Sequence, residues 1–351
     1  MQYCGVADRH SEGGEKVRRE GVTRLKPALN ITDLVRPVRS EFVRFEREFA
    51  ASLRSDVELI SQIARYILKQ KSKRIRPILV LLSARLCGTP TEATIVSASL
   101  VELLHTATLI HDDIIDEATT RRGAPSVNAI WQNKISVLMG DFLFSRSLSN
   151  MLRLRNYEAL QLLSETSEAL SSGEILQLAK SANDGMDEKL YFRMIWLKTA
   201  SLFASSCKVG VLSVNGSAAA AEALWNFGKY LGMAFQIKDD LFDYTAREDK
   251  IGKPIGRDLK SNLVTLPLLY VLNKKDQAEN RKIRAAIREG LQPREVERIN
   301  ELIISDGGIQ YAEAKLKEIS EKAIEQLRRF PDSEVKKALQ DFVWFNQARS
   351  N

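Results

Sequence analysis

From about residue 30 onward, apolar residues recur at three- and four-residue spacing with hardly a break, the period of an amphipathic helix. No run alternates apolar and polar positions between turn residues as a half-buried strand would. Pro125 and Pro254 bound a long span without proline, so nothing between them removes a helical hydrogen bond. The pattern predicts an all-α protein with helices near 31–53, 57–70, 75–87, 90–117, 126–152, 156–181, 187–212, 217–246 and 260–274. Shorter helices are predicted near 279–289, 293–305, 308–329 and 333–348. Residues 1–29 are polar, with Gly13-Gly14 and mixed charges, and read as a flexible extension ahead of one large domain over 30–351.

The helix over 90–117 carries the clearest start signal. Thr89 suits the N-cap, Pro90 the first helical position, and Glu92 completes a capping box. At 1.5 Å per residue such a helix is about 40 Å long. It ends on an unexpected feature: Asp112, Asp113 and Asp116 stand inside an otherwise apolar run. His105, Asp112 and Asp116 are seven and four residues apart and share one face. A second cluster, Asp239, Asp240 and Asp243 in "FQIKDDLFDYT", repeats the pattern.

Composition narrows the class without deciding it. With 351 residues, 44% of them hydrophobic, there is ample material for a large core. The three cysteines, Cys4, Cys87 and Cys207, are widely spaced and form no C-x-x-C pair, which argues against a disulfide framework or a zinc site. The N-terminus has no apolar signal region, and no stretch of about 18 uncharged apolar residues is read as a membrane span. A soluble, cytoplasmic protein is expected. The net charge of +7 suits an anionic partner, whether nucleic acid, phosphorylated metabolite or membrane surface. The 52 basic residues are interleaved with 45 acidic ones, however, which is the usual make-up of a solvated surface.

Like charges one helical turn apart cost only about 0.2–0.5 kcal/mol per pair, so one aspartate cluster would pass as a solvated helix end. Two clusters, each preceded by apolar helix and accompanied by basic residues, need another account. Oxygen-only carboxylate sets without His or Cys partners suit a hard cation, and Mg²⁺ typically combines one or two carboxylates with phosphate oxygens. Two such clusters across a helical cavity can hold a diphosphate through bridging Mg²⁺, and the metal would stabilise charge on departing pyrophosphate. The stretch "KQKSKRIRP" and the Arg121-Arg122 pair add the cations that a second diphosphate needs. His105 shares the Asp112 face, whereas His111 is expected to pack or to act through a neighbour. No G-x-S-x-G, H-E-x-x-H or glycine-rich phosphate loop points to other chemistry.

Over about residues 30–350 the chain resembles the trans-isoprenyl diphosphate synthases, the polyprenyl synthetase family, and most of all its long-chain members. The resemblance rests on both aspartate-rich regions in order, "KRIRP" before the first and "RRG" after it, then "LKTA", "FQIKDD" and "GKPIGRDL". The chain departs from the family in having Lys71-Ser72 where a Gly-Gly pair is usual. The resemblance implies a single large helical bundle around a central cavity, the isoprenoid synthase fold. It implies that Asp112, Asp113, Asp116, Asp239, Asp240 and Asp243 hold Mg²⁺ on an allylic diphosphate such as farnesyl or geranyl diphosphate. Arg121, Lys198, Lys238 and Lys253 would contact that same diphosphate. Lys73, Arg76, His105 and Arg122 would bind isopentenyl diphosphate. Thr199 and Gln236 would line the reaction centre and stabilise its cation. A homodimer making at most peripheral membrane contact is expected, with no nucleic-acid partner.

Other readings predict other residues. A terpene cyclase normally carries N-D-x-x-S-x-x-x-E at its second metal site, where this chain has D-D-L-F-D. A non-catalytic regulatory subunit would be expected to have lost an aspartate motif, and both are intact. A short-chain synthase making farnesyl or geranylgeranyl diphosphate would carry a bulky aromatic just before the first motif. Here Ala107 and Thr108 occupy those positions, about 6–8 Å along the helix below the metals. Small residues there leave room for a growing chain, so a product of about C30–C50 is expected, octaprenyl as the single choice, serving quinone side chains.

Overall fold

The computed structural model describes residues 30–70, 72–180, 186–245, 259 and 263–349. Fifteen α-helices in this region are numbered in chain order. They begin with α1 (Ile31–Val35), α2 (Arg39–Ser52), α3 (Glu58–Lys69), α4 (Ile75–Cys87), α5 (Glu92–Ile115) and α6 (Val127–Arg153). Next come α7 (Tyr157–Lys180), α8 (Glu188–Ile195), α9 (Ser201–Leu212) and α10 (Ala218–Thr245). The chain closes with α11 (Leu266–Lys274), α12 (Gln277–Glu289), α13 (Pro293–Ser305), α14 (Gly308–Gln326) and α15 (Glu334–Ala348). The all-α expectation holds.

Several of the expected helices are interrupted, each for a local reason. The helix expected over 31–53 breaks at a 3-10 turn, Arg36–Val38, where Pro37 supplies no amide to the ladder. The one expected over 187–212 contains a π turn, Trp196–Ala200, between α8 and α9. Within α6, Gln132 adopts φ 67° and kinks the helix. The N-cap of α5 is Thr91, not Thr89: its amide donates to Thr94 Oγ1 at 3.0 Å, so Thr94 fills the place assigned to Glu92.

The bundle surrounds α5, which is buried on nearly every side from Thr94 to Ile110. That explains why its sequence is apolar all round. Its length and composition would suffice to cross a bilayer, but 78% of its most apolar window is buried inside the protein. One core joins α1 to α7 with α9, the first half of α10 and α15; a second joins α8, the end of α10, α11, α13 and α14. Buried serines on α9 bond back to the preceding turn, Ser201 to Leu197 O at 2.7 Å and Ser205 to Ser201 O at 2.8 Å. Their hydroxyls are thereby satisfied locally, and Ser205 Oγ also meets Thr166 Oγ1 of α7 at 2.6 Å. Cys87 and Cys207 are free thiols.

Between α5 and α6 lies the departure from pure helix that positions the site. Thr120–Arg121 (β1) and Ala124–Pro125 (β2) pair antiparallel around Arg122-Gly123. Both loop residues have positive φ, 55° and 77°, as a two-residue hairpin with the strand twist requires. Gly123 adopts this without strain; Arg122 does not. The hairpin is fastened by Ser126 Oγ to Ala118 O and Tyr66 OH to Pro125 O, both at 2.6 Å.

Candidate active site

A cavity of about 1310 Å³ opens in the bundle, lined from α4, α5, the hairpin, α7, α8, the π turn and α10. It gathers Lys73, Arg76, His105, Thr108, Asp112, Asp116, Arg121, Arg122, Lys198, Thr199, Gln236, Asp239 and Asp240 from across the sequence. These thirteen were singled out from sequence, and the fold brings them to one place.

The basic part begins at the start of α4. Arg74 sits in the left-handed region at φ 47° as its N-cap, a strained position for a side chain of this size. Its guanidinium pairs with the buried Glu102 at 2.5 Å and lies 4.6 Å over the Phe49 ring. Arg76 Nη1 stands 2.9 Å from His105 Nε2. Arginine only donates, so His105 accepts at Nε2 and carries its proton on Nδ1. Burial and the neighbouring Arg76 charge hold the imidazole pKa well below its ordinary value, so the ring stays neutral. Burial also draws Arg76 down to about 10, still charged at neutral pH. Lys73 is lowered by burial and by Arg349, and Arg122 by burial, with Glu102 opposing.

The acidic part divides in two. Asp112 and Asp116 face the cavity at the end of α5, where the Asp116 amide donates to Asp112 O at 2.8 Å. Burial, then Glu174 across the cavity, push the Asp112 carboxyl up to about 7, against the pull of Lys198. Glu174 accepts an ion pair from Lys198 at 2.6 Å, while its Oε1 is buried without a hydrogen-bond partner. On α10, burial raises Asp239 although Arg349 pairs with it at 2.7 Å. Asp240 is raised to about 7, again chiefly by burial. It accepts from Gln236 Nε2 at 2.9 Å and Tyr191 OH at 2.7 Å, and Thr199 Oγ1 donates to Gln236 Oε1 at 2.8 Å.

Some expected site residues stand elsewhere. Asp113 is only 3% exposed and turns away from the cavity to pair with Arg121, whose Nε donates to it at 2.7 Å. It is therefore not grouped with Asp112 and Asp116, and Arg121 meets the cavity already committed to a carboxylate. Lys238 stands 5.2 Å over the Phe242 ring, off the cavity wall. Asp243 lies one turn beyond Asp239 and pushes Asp240 further up. Ala107, expected to border a growing chain, is 2% exposed within the core. Five residues before Asp112 is some 140° around a helix, so the wall position belongs to Thr108, four residues before it. Lys253 lies outside the described residues.

Four contributors escaped the sequence reading: Glu102, Glu174, Tyr191 and Arg349. For Glu174 a signal existed. Leu170, Glu174 and Gln177 are spaced as one helix face and all line the cavity, so a carboxylate stands in an otherwise buried stripe. Arg349 follows α15 and reaches Asp239 from the far end of the chain, with its guanidinium 3.8 Å over the Phe235 ring. Nothing local announces such a contact.

Asp112, Asp116, Glu174 and Asp239 bring only oxygen donors to the cavity wall, the ligand type a hard divalent cation takes, although among the described residues no three acidic side chains stand close enough together to hold an ion. Burial and mutual repulsion make the ionised Asp112 costly by itself, and a cation relieves both penalties. In donor type these residues suit such a metal, but Glu174 and Asp239 are each committed to a cation, Lys198 and Arg349, that an incoming ion would have to displace.

Residues 57–303 match the family model for polyprenyl synthetase. Octaprenyl diphosphate synthase of Escherichia coli is 37% identical over 287 residues, 82% of this chain and 89% of that protein. Heptaprenyl diphosphate synthase component 2 of Bacillus subtilis is 36% identical, covering 84% of each. A polyprenyl synthase of Caulobacter crescentus, solved with calcium and isoprenyl diphosphate, superposes with a TM-score of 0.86 at 33% identity, over 93% of this chain and 100% of that one. With members of both aspartate clusters and most of the basic set around one cavity, the chain belongs to the polyprenyl synthetase family and is a prenyltransferase.

Proposed function

We propose that this protein condenses isopentenyl diphosphate onto an allylic diphosphate and builds a trans-polyprenyl diphosphate of about C30–C50, with octaprenyl the single best choice. The observation that carries the reading is one cavity lined by a group of carboxylates and, apart from it, a group of buried cations. Asp112, Asp116 and Asp239, with Glu174 beside them, would hold Mg²⁺ on the allylic diphosphate, and Lys198 would leave Glu174 for its oxygens. Lys73, Arg76 and Arg122 would bind the isopentenyl diphosphate, with neutral His105 orienting Arg76. Bound there, Mg²⁺ supplies charge neutralisation to the departing pyrophosphate.

The carbon–oxygen bond of the allylic substrate breaks, and its electron pair leaves with pyrophosphate. The double bond of isopentenyl diphosphate then attacks the allylic cation, and the proton lost passes to the pyrophosphate. Thr199 Oγ1 and Gln236 Oε1 bring oxygen dipoles to the reaction centre, where fixed dipoles stabilise developing charge without reorganising. Incubation with farnesyl diphosphate, labelled isopentenyl diphosphate and Mg²⁺, followed by sizing of the products, tests the assignment. Products of C30 or longer are expected; products stopping at C15–C20 would make this a short-chain synthase.

We place the enzyme in the cytoplasm as a homodimer. Leu138 (63% exposed) and Leu152 (71%) on α6 support a second copy packing there, since apolar side chains this exposed gain by being covered. Sedimentation at micromolar concentration reads the assembly state. The similarity to a heptaprenyl synthase component makes a heteromeric partner the second reading.

A further inference from the structure

Tyr191, on α8, is 0% exposed, and nothing in the sequence marked it. Its hydroxyl opens a chain of hydrogen bonds that ends at the reaction centre. Tyr191 OH donates to Asp240 Oδ2 at 2.7 Å, Gln236 Nε2 donates to Asp240 Oδ1 at 2.9 Å, and Thr199 Oγ1 donates to Gln236 Oε1 at 2.8 Å. All four residues line the cavity, yet Asp240 is 6% and Thr199 7% exposed. We propose that Tyr191 is a positioning residue for prenyl transfer: through Asp240 and Gln236 it fixes which atoms of Gln236 and Thr199 face the carbon that becomes cationic.

Each link sets the direction of the next. Donors hold both Asp240 oxygens, which fixes the plane of the carboxylate. With the Tyr191 hydrogen on Oδ2, Asp240 Oδ1 is left to accept, and the amide of Gln236 presents its NH₂ side to it. Its carbonyl is then left toward Thr199. The Thr199 hydroxyl spends its hydrogen on that carbonyl, and the lone pairs of Oγ1 remain for the cavity. Two oxygens, rather than an amide NH₂ and a hydroxyl hydrogen, therefore point where positive charge develops. A reversed amide would put donor hydrogens there and oppose ionisation. Tyr191 also packs edge-on to Phe192, with ring centroids 5.5 Å apart, so a purely structural role is the competing account. Phenylalanine keeps the ring and removes only the hydroxyl.

This inference rests on the prenyl-transfer reading, and the test separates the two. Dissociation constants are measured, with Mg²⁺ and pyrophosphate present, for two unreactive analogues of the allylic diphosphate. One is a neutral thiolodiphosphate; the other carries an ammonium centre in place of the cationic carbon. Wild type should prefer the ammonium analogue. In Tyr191→Phe that preference should fall about tenfold, below the effect of deleting a direct donor, with the neutral analogue bound within a few fold of wild type. The kcat should fall by a similar factor while KM for both diphosphates holds. In a Gln236→Leu background, Tyr191→Phe should change the preference no further, because it acts through that amide. An unchanged preference, equal weakening of both analogues, or full additivity with Gln236→Leu would overturn the positioning role. If Tyr191→Phe does not fold, Asp240→Asn breaks the same chain and is judged by the same ratio. Failure of the wild-type enzyme to elongate at all would overturn the prenyl-transfer reading itself.

Discussion

Arg76 does three things from one position: it pairs with His105, lies 4.7 Å over the Phe203 ring, and keeps a buried Nε with no hydrogen-bond partner. A cation held so firmly on the cavity wall is placed to meet a phosphate oxygen. Arg76→Ala should raise KM for isopentenyl diphosphate roughly ten- to a hundredfold, the worth of a charge-assisted hydrogen bond of about 1.5–3 kcal/mol. The KM for farnesyl diphosphate should change far less; an equal rise in both would mean that the two diphosphate sites are wrongly assigned. At this scale the aspartate clusters and basic residues were legible because their charges interrupt apolar helix. The turn of Asp113 toward Arg121 was not, since it depends on the hairpin bringing Arg121 back over α5. Lys198 was legible and Glu174 stood in a readable stripe, but their pairing depends on tertiary packing.

The π turn Trp196–Ala200 is the element that presents Lys198 and Thr199, and α7 lies directly against it. A Cβ at Gly173 would stand 2.5 Å from Lys198 N and 2.8 Å from its Cα, both backbone atoms that cannot swing aside. Gly173→Ala should therefore push the turn and α7 apart, costing about 1–3 kcal/mol as overpacking does. The thermal midpoint should drop by several degrees and kcat should fall with it; unchanged stability would show that the contact is loose. Periodicity found the helices because each buries an apolar stripe. It missed the π turn because one inserted residue leaves the three- and four-residue spacing nearly intact. Helix geometry also moves the chain-length test. Thr108, not Ala107, lines the cavity, so Thr108→Tyr should shorten the products toward C15–C20 and leave the first condensation within a few fold. Wild-type product length in that variant would mean that the growing chain takes another path.

Across the whole molecule, burial collects like charge around one cavity, and this leaves a pH signature. Asp112 and Asp240 are both raised to about 7, first of all by burial, from an ordinary value of 3.8. A raised carboxyl favours the folded state while protonated, so its contribution is complete below about pH 4 and is lost as pH rises through about 7. The metal-free protein should thus lose thermal stability between pH 5 and 8. Mg²⁺ should restore more at pH 8 than at pH 5, and Asp112→Asn should flatten the metal-free slope. A metal-free midpoint that rises over this range would contradict the charge assignment. The all-α fold was open to sequence reading in outline, whereas the cavity's ion pairs depend on helices distant in the chain. The central claim is that the two aspartate clusters work together through a hard cation. It is tested most directly by the initial rate of isopentenyl incorporation, with and without excess EDTA, in wild type and in Asp112→Asn, Asp239→Asn and the double variant. The account predicts no incorporation in EDTA and a loss of orders of magnitude in each variant, with the helical circular dichroism nearly unchanged. Full incorporation in EDTA, or by the double variant, would contradict it.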